Sequence, residues 1–348
     1  NLDYIRYPVS DRTEDTGYTS YAMIEFAASL GKELQDDSRL RREFLKLFDR
    51  TYTLDYNLNY QKWCDYRMGK VTQFVRNATA AMRSVKPDLL VSTAVFASVS
   101  ESRDKKMQDW PTWFTKGYID IATPMAYYDS SVDVLSKVKE MIELAGGTCY
   151  NYAGLASSYR GFPAYENANQ INAAYLAGAD GYAIFASQNL LPSTDVQEVL
   201  KAGVNSKWAV LPHASADEVL TAAFASLLDK AERIYVPAGA MHSEEYEKLE
   251  AALGRIAAMP VTNAKELNAV INAIAALYEN DGLYEFGAGY AVRRMQEDLS
   301  SLCGVLDVKL SRMMIASGEW DPEKTPARPD PDGGEEPVDP VDPVDPVD

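Results

Sequence analysis

Residues 119–155 read IDIATPMAYYDSSVDVLSKVKEMIELAGGTCYNYAGL: an apolar run, an amphipathic run, a Gly-Gly break and a second apolar run. The first run, Ile119–Tyr128, predicts a buried strand. Val132–Leu144 predicts a helix that Gly146 and Gly147 break, and Cys149–Leu155 the next strand. The same alternation continues in both directions. Upstream, Tyr60–Val85 carries Val71, Phe74, Val75, Ala78 and Met82 at helical spacing, and Pro87 stops it. Leu89–Phe96 then reads as a strand and Trp110–Lys116 as a short helix. Downstream, Asn167–Ala177 is a helix and Gly181–Ala186 a strand. The chain also opens on a strand, Asn1–Tyr7, closed by Pro8, so upstream strands are expected before it. Five strands separated by helices, with near-continuous apolar runs, indicate a parallel α/β sheet covered on both faces. This is part of a (β/α)8 barrel, which needs eight strands and about 250 residues. The expectation is an open five-stranded sheet rather than a closed barrel.

From Ala214 to Met314 the pattern changes to helix only. Ser215–Glu218, Ser243–Glu245 and Thr262–Glu266 carry helix-start signals, and a fourth helix is expected over Tyr290–Met313. The stripe Leu267, Val270, Ile271, Ile274 and Leu277 is bundle core, not a cofactor box. After Trp320 the chain becomes Pro, Asp, Glu and Gly, and ends on a Pro-Val-Asp repeat over residues 337–348. Proline at every third position forbids a helix and favours an extended, self-repelling spacer, and the Gly turn of an EF-hand loop is missing. Three parts follow: a partial barrel over 1–208, an all-α helical module over 209–318, and a disordered acidic proline-rich spacer over 319–348.

Of the 348 residues 47% are hydrophobic, enough to bury one large core or two moderate ones. No run reaches the length of a membrane span. The formal charge of −17 argues against nucleic acid as partner, although residues 319–348 alone carry nine of those negative charges. Three dispersed cysteines and two histidines give neither a disulfide framework nor an ordinary zinc site, and no cofactor is implied. Scarce histidine also weakens a Ser-His-Asp or Cys-His proposal, leaving carboxylates and tyrosines for catalysis.

Four segments, NLDYIRYP (1–8), DYRMGKVTQFVRNATAAMRSVKPDLLVSTAVF (65–96), QDWPTWFTKGYIDIATPMAYY (108–128) and GADGYAIFAS (178–187), stand in the order and at about the spacing found in one family. The chain resembles the glycosyl-hydrolase-like family 10 proteins, bacterial surface or secreted (β/α)8 proteins once grouped under a domain of unknown function. The resemblance covers residues 1–191 and corresponds to strands four to eight of the family barrel. It implies a glycoside hydrolase acting on a bacterial cell-surface or extracellular polysaccharide; the resemblance does not reach the tail, whose composition reads as a spacer that projects the protein from the surface, attaches it to the cell wall or joins it to a further domain. The family's Leu-Asp-Tyr-x-Arg-Tyr-Pro motif falls on Leu2–Pro8, its Asp-Trp-x-x-Trp on Asp109–Trp113 and its Pro-Met-x-Tyr on Pro124–Tyr127. By this resemblance Asp3 is the leading active-site residue, because carboxylates ending the fourth strand act as general acid in related barrel glycosidases. Many members carry Gln where Met125 stands, which removes a hydrogen-bonding side chain here.

Glycoside hydrolysis needs two carboxyls flanking the scissile bond, about 5–5.5 Å apart for retention and 6.5–9.5 Å for inversion. Asp3 fits the acid role if Tyr4 and Tyr7 desolvate it; the plain alternative is that it pairs with Arg6 at the strand end. Asp129, after Pro-Met-Ala-Tyr-Tyr, is preferred as second carboxylate over Glu101, the other reading of each being an ordinary loop acid or, for Asp129, a helix cap. Asp120 belongs to the opposite, stabilising end of its strand. Arg6, Tyr7, Tyr127, Tyr128, Tyr150, Tyr152 and Gln188, at or near strand carboxyl ends, form the candidate sugar-binding set, since aromatic faces stack on pyranose rings and polar groups read hydroxyls. Trp110 and Trp113 are read as packing anchors. Two rivals stay open: a non-catalytic carbohydrate-binding or surface-display protein on a degenerate barrel, and a helical module that binds a protein partner.

Overall fold

The structure, a computed structural model, describes residues 1–8, 16–48, 58–156, 161–203, 205 and 209–320. The spacer expected over 319–348 lies, beyond Trp320, outside the described residues. By contacts between its Cα atoms the chain divides into two compact units, Asn1–Ala222 together with Asp307–Trp320, and Ala223–Leu306.

The first unit is built on a parallel sheet of four strands in sequential order, β1 (Ser92–Phe96), β2 (Ile121–Met125), β3 (Tyr150–Leu155) and β4 (Gly181–Ile184). Helices α1 (Ser20–Ser29), α2 (Leu40–Leu45) and α3 (Leu58–Val85) precede it. Between the strands run α4 (Val99–Lys106), α5 (Trp110–Thr115), α6 (Ser131–Ala145) and α7 (Ala164–Leu176); α8 (Ser187–Leu190) and α9 (Thr194–Ala202) follow β4. Each crossover therefore contains a helix, as parallel pairing requires.

The strand expected over Asn1–Tyr7 is reduced to one residue. Leu2 makes an isolated parallel bridge to Thr93, its N–H donating to Ser92 O at 2.7 Å and its carbonyl accepting from Ala94 N at 3.0 Å. Tyr4, with φ at 55°, turns the chain out of the extended conformation, and Arg6 N bonds back to Tyr4 O at 2.8 Å. A ladder cannot continue through a left-handed residue, so the sheet has four strands plus a bridge instead of five strands.

Along β1 and β2 buried and half-buried residues alternate. The buried row, Val95 and Ala122 with Val91, packs on Trp110, Trp113, Phe114, Met141 and Ala145. Ala126, Ala153 and Leu155 pack on Val134, Val138, Ile171 and Leu200. The two tryptophans are packing anchors, as read: both are wholly buried, Trp110 Nε1 donating to Ser102 Oγ at 2.9 Å and Trp113 Nε1 to Thr72 Oγ1 at 2.9 Å. A third cluster, Phe26, Phe44, Phe48 and Trp63, ties α1 and α2 to α3. The opposite row is only partly covered: Ala94, Phe96, Thr123 and Met125 are half-buried and Ala183 is exposed. Full cover on both faces, expected from the apolar runs, is therefore met on one face only.

At the amino ends of the strands one device recurs. Asp120, just before β2, accepts Val91 N at 2.7 Å, and Asp180, just before β4, accepts Asn151 N at 2.7 Å, so in both cases an acid before one strand fastens the start of the preceding one. Asp120 is buried and also takes Arg83 Nη2 at 2.7 Å and the Arg312 guanidinium.

The helical residues follow capping rules. They form α10 (Ala216–Lys230), α11 (Ser243–Ala257), α12 (Ala264–Tyr278) and α13 (Tyr290–Ser317), α10 and α13 contributing to both units. Asn263 caps α12, its Oδ1 accepting Glu266 N at 3.0 Å, while Glu266 reaches back to Thr262 N at 2.9 Å. In the second unit Leu249, Leu253, Leu267, Val270, Ile274 and Leu299 are buried, and Lys230 pairs with Asp298 at 2.7 Å.

Candidate active site

In a parallel α/β sheet the carboxyl ends of the strands are where loops from successive units converge, so the candidate site is built there. The last aligned row runs Phe96, Met125, Gly154, Ala183 across the four strands. Gly154 is required: a Cβ there would lie 2.7 Å from Pro124 O. Beyond this row Tyr127, from the end of β2, stacks on Phe185, from the end of β4, with centroids 5.6 Å apart and planes at 27°. Phe185 is 46% exposed, so the pair offers an aromatic surface to solvent. Tyr128 turns the other way, half-buried, its hydroxyl pKa raised by burial and its carbonyl accepting Gln170 Nε2 at 3.0 Å.

Residues 4–8 form a strap over the end of β1. Gln108, wholly buried, donates from Nε2 to Ile5 O at 3.1 Å and accepts Phe96 N on Oε1 at 3.1 Å, so one amide joins strap to strand. Tyr7 N donates to Lys106 O at 2.9 Å and Lys106 Nζ to Pro8 O at 2.6 Å. The Arg6 guanidinium lies over two rings, 4.2 Å from the Tyr4 centroid and 5.1 Å from that of Phe96.

The predicted residues distribute unevenly over this surface. Asp3 is exposed, one residue past the Leu2 bridge; its Oδ1 accepts Tyr4 N at 2.7 Å, and it makes no ion pair with Arg6. Tyr4, 74% exposed, leaves Asp3 without the expected apolar cover. Asp129 is exposed after β2; the cap of α6 belongs to its neighbour Ser130, whose Oγ accepts Val132 N at 3.2 Å. Glu101 lies in the first turn of α4 and Gln188 is exposed on α8. Tyr7 is half-buried beneath the Arg67 guanidinium, 5.5 Å from its ring centroid.

Two tyrosines expected at the carboxyl end are elsewhere. Tyr150 opens β3 at its amino end, and Tyr152 is mid-strand, its ring over Gly181, where a Cβ would come within 2.7 Å. Tyr152 and His213 share a hydrogen bond of 2.8 Å between the hydroxyl and Nδ1. Burial raises both tyrosine pKa values and, with Lys309 close by, lowers that of His213. Neither His213 nor Phe185 was singled out from the sequence. Phe185 had a local signal, as an aromatic just beyond a strand, and His213 had none.

Among the described residues no His, Cys, Asp and Glu side chains cluster as a metal site, and no helix is long and apolar enough to cross a membrane. The molecule is thus an α/β protein with a parallel sheet whose aromatic and cationic groups gather at the strand carboxyl ends. Residues 21–145 match the family model of glycosyl hydrolase-like 10, the family its motifs resemble. The matched span contains α1 to α6, β1, β2 and Asp129, but neither Asp3 nor β3 and β4. No curated protein and no solved structure matches the chain.

Proposed function

We propose that this protein is a glycoside hydrolase of the bacterial cell surface or exterior, which binds a polysaccharide across the carboxyl ends of its strands. The sheet is the later part of a (β/α)8 barrel, the Leu2 bridge standing for its fourth strand and β1–β4 for strands five to eight. The observation that carries this reading is the glycosyl hydrolase-like match over residues 21–145, which ends in the β2–α6 region where Tyr127 and Asp129 stand. Asp3 is the general acid and Asp129 the second carboxylate. Arg6, Tyr7, Tyr127, Tyr128 and Gln188 contact sugar, with the exposed Tyr127–Phe185 pair as the stacking platform. Tyr152, bonded to His213, supports the site from beneath.

One observation favours a second reading, non-catalytic carbohydrate binding. Asp3 and Asp129 are both exposed, whereas a proton-donating carboxyl needs apolar surroundings. Reducing-end release from bacterial surface polysaccharides by the wild-type protein and Asp3→Asn, with binding measured beside it, separates the two. Hydrolysis lost in Asp3→Asn with binding kept supports the enzyme; binding without hydrolysis in either supports the binder; neither activity refutes both.

A further inference from the structure

The end of β1 holds two cations against one ring. Arg6 Cζ is 5.1 Å and Lys106 Nζ 4.9 Å from the Phe96 centroid, so the two charges lie within the sum of those distances of each other. Neither has a carboxylate partner among the described residues, in a chain whose net charge is −17. Arg6 Nη1 is buried and makes no hydrogen bond. Buried guanidinium N–H groups are ordinarily satisfied, and two cations gathered around one ring make a local positive potential that favours an anion.

The arrangement is also well supported. Phe96 is fixed on both sides of its peptide: its N–H by Gln108 Oε1 at 3.1 Å, its carbonyl by Trp110 Nε1 at 3.1 Å and Ser102 Oγ at 2.9 Å. Lys106 is tethered to Pro8 O, and the strap carrying Arg6 is tethered by Gln108 to Ile5 O. A cation pair on so rigid a platform differs from mobile surface lysines, whose charges spread into solvent at little cost.

We infer that Arg6 and Lys106, held over Phe96, form a subsite for a carboxylate of the glycan, so that the ligand is an acidic polysaccharide of uronate type. This rests on the reading of the carboxyl ends as the glycan site and specifies its ligand. The planar guanidinium offers paired N–H donors to a carboxylate, and Lys106 adds a point charge. Asp3, which precedes the strap, accepts Tyr4 N and makes no ion pair with Arg6.

The test uses oligogalacturonides and their carboxyl-reduced, neutral counterparts, titrated by calorimetry into wild-type protein, Arg6→Gln and Lys106→Met. The melting temperature of each variant is recorded to show that it folds. Acidic oligosaccharides should bind the wild type at least about tenfold more tightly than the neutral ones, weaken on the order of tenfold in each variant, and lose affinity as salt rises. Affinity for the neutral set should not change in Lys106→Met. Equal binding of acidic and neutral sets, or acidic binding untouched by both substitutions, overturns the carboxylate subsite and leaves the glycan reading standing. Binding of inorganic phosphate with equal affinity and equal sensitivity to the variants would make this a general anion site and overturn the assignment to uronate. No binding of either oligosaccharide set overturns the subsite; whether the glycan reading falls with it is decided by the surface-polysaccharide assay.

Discussion

Removing the Asp120 carboxylate should be among the most damaging single changes in the first unit. It accepts three donors: Val91 N at 2.7 Å, Arg83 Nη2 at 2.7 Å and the Arg312 guanidinium. Side-chain exposure is 4% for Asp120, 13% for Arg312 and 26% for Arg83. In Asp120→Ala the Val91 N–H loses its acceptor, and Arg312 keeps only the carbonyls of Gly117, Ile119 and Thr148 at 3.3–3.4 Å. Stranding a buried charge costs about 3–5 kcal/mol. Arg83 is the more solvated partner and retains bonds to the Gly117 and Tyr118 carbonyls, so the middle of that range, about 4 kcal/mol, is expected. Such a loss lowers the melting temperature of a unit this size by roughly 10 °C. Asp120→Asn keeps an acceptor for Val91 and should lose about half as much. Urea denaturation followed by tryptophan fluorescence measures both variants. A loss below about 1 kcal/mol for Asp120→Ala would show that the cluster at the amino ends does not hold the sheet as argued.

Two further outcomes follow from the same unit. The folded His213 has a pKa below the ordinary 6.5, first from burial and then from Lys309, so the unfolded chain takes up its proton first; stability should be full above pH 6.5 and fall as pH drops below it. His213→Phe should flatten that slope in denaturation curves at pH 7.5 and 5.5, and an unchanged slope would remove His213 as its cause. Gly181→Ala places a Cβ about 2.7 Å from the Tyr152 ring, which its bond to His213 holds in place; a loss of about 1–3 kcal/mol is expected, and an unchanged melting temperature would mean the ring moves freely.

The βαβ unit over residues 119–155 was legible because its signals are local. Apolar runs mark β2 and β3, Ser130 and Gly146 cap α6, and Gly146 takes a φ of 58° that glycine adopts at no cost. The helices α4 and α9 were not read. Residues 99–106, Val-Ser-Glu-Ser-Arg-Asp-Lys-Lys, carry no apolar stripe, and only the Ser98 cap announces them. In α9 Val196 and Leu200 are buried at helical spacing, but two residues are too few to register as a period. The first strand failed for a backbone reason, the positive φ of Tyr4, that Asp-Tyr-Ile-Arg does not encode visibly. The site was legible as a set of residue types at strand ends, where Tyr127 stands as read. Its supporting contacts join residues distant in sequence, Tyr152 to His213 and Ile5 to Gln108, and no local pattern marks such pairs.

Hydrolysis by the Asp3→Asn protein is the most direct measure of the central claim, that the Asp3 carboxylate, just past the Leu2 bridge, works on a glycan bound across the strand ends. The amide keeps the shape and the acceptor for Tyr4 N but cannot donate a proton, so turnover of the surface polysaccharide should fall by about 10²-fold or more with affinity unchanged. Equal turnover by wild type and Asp3→Asn would contradict the account and remove Asp3 from the mechanism.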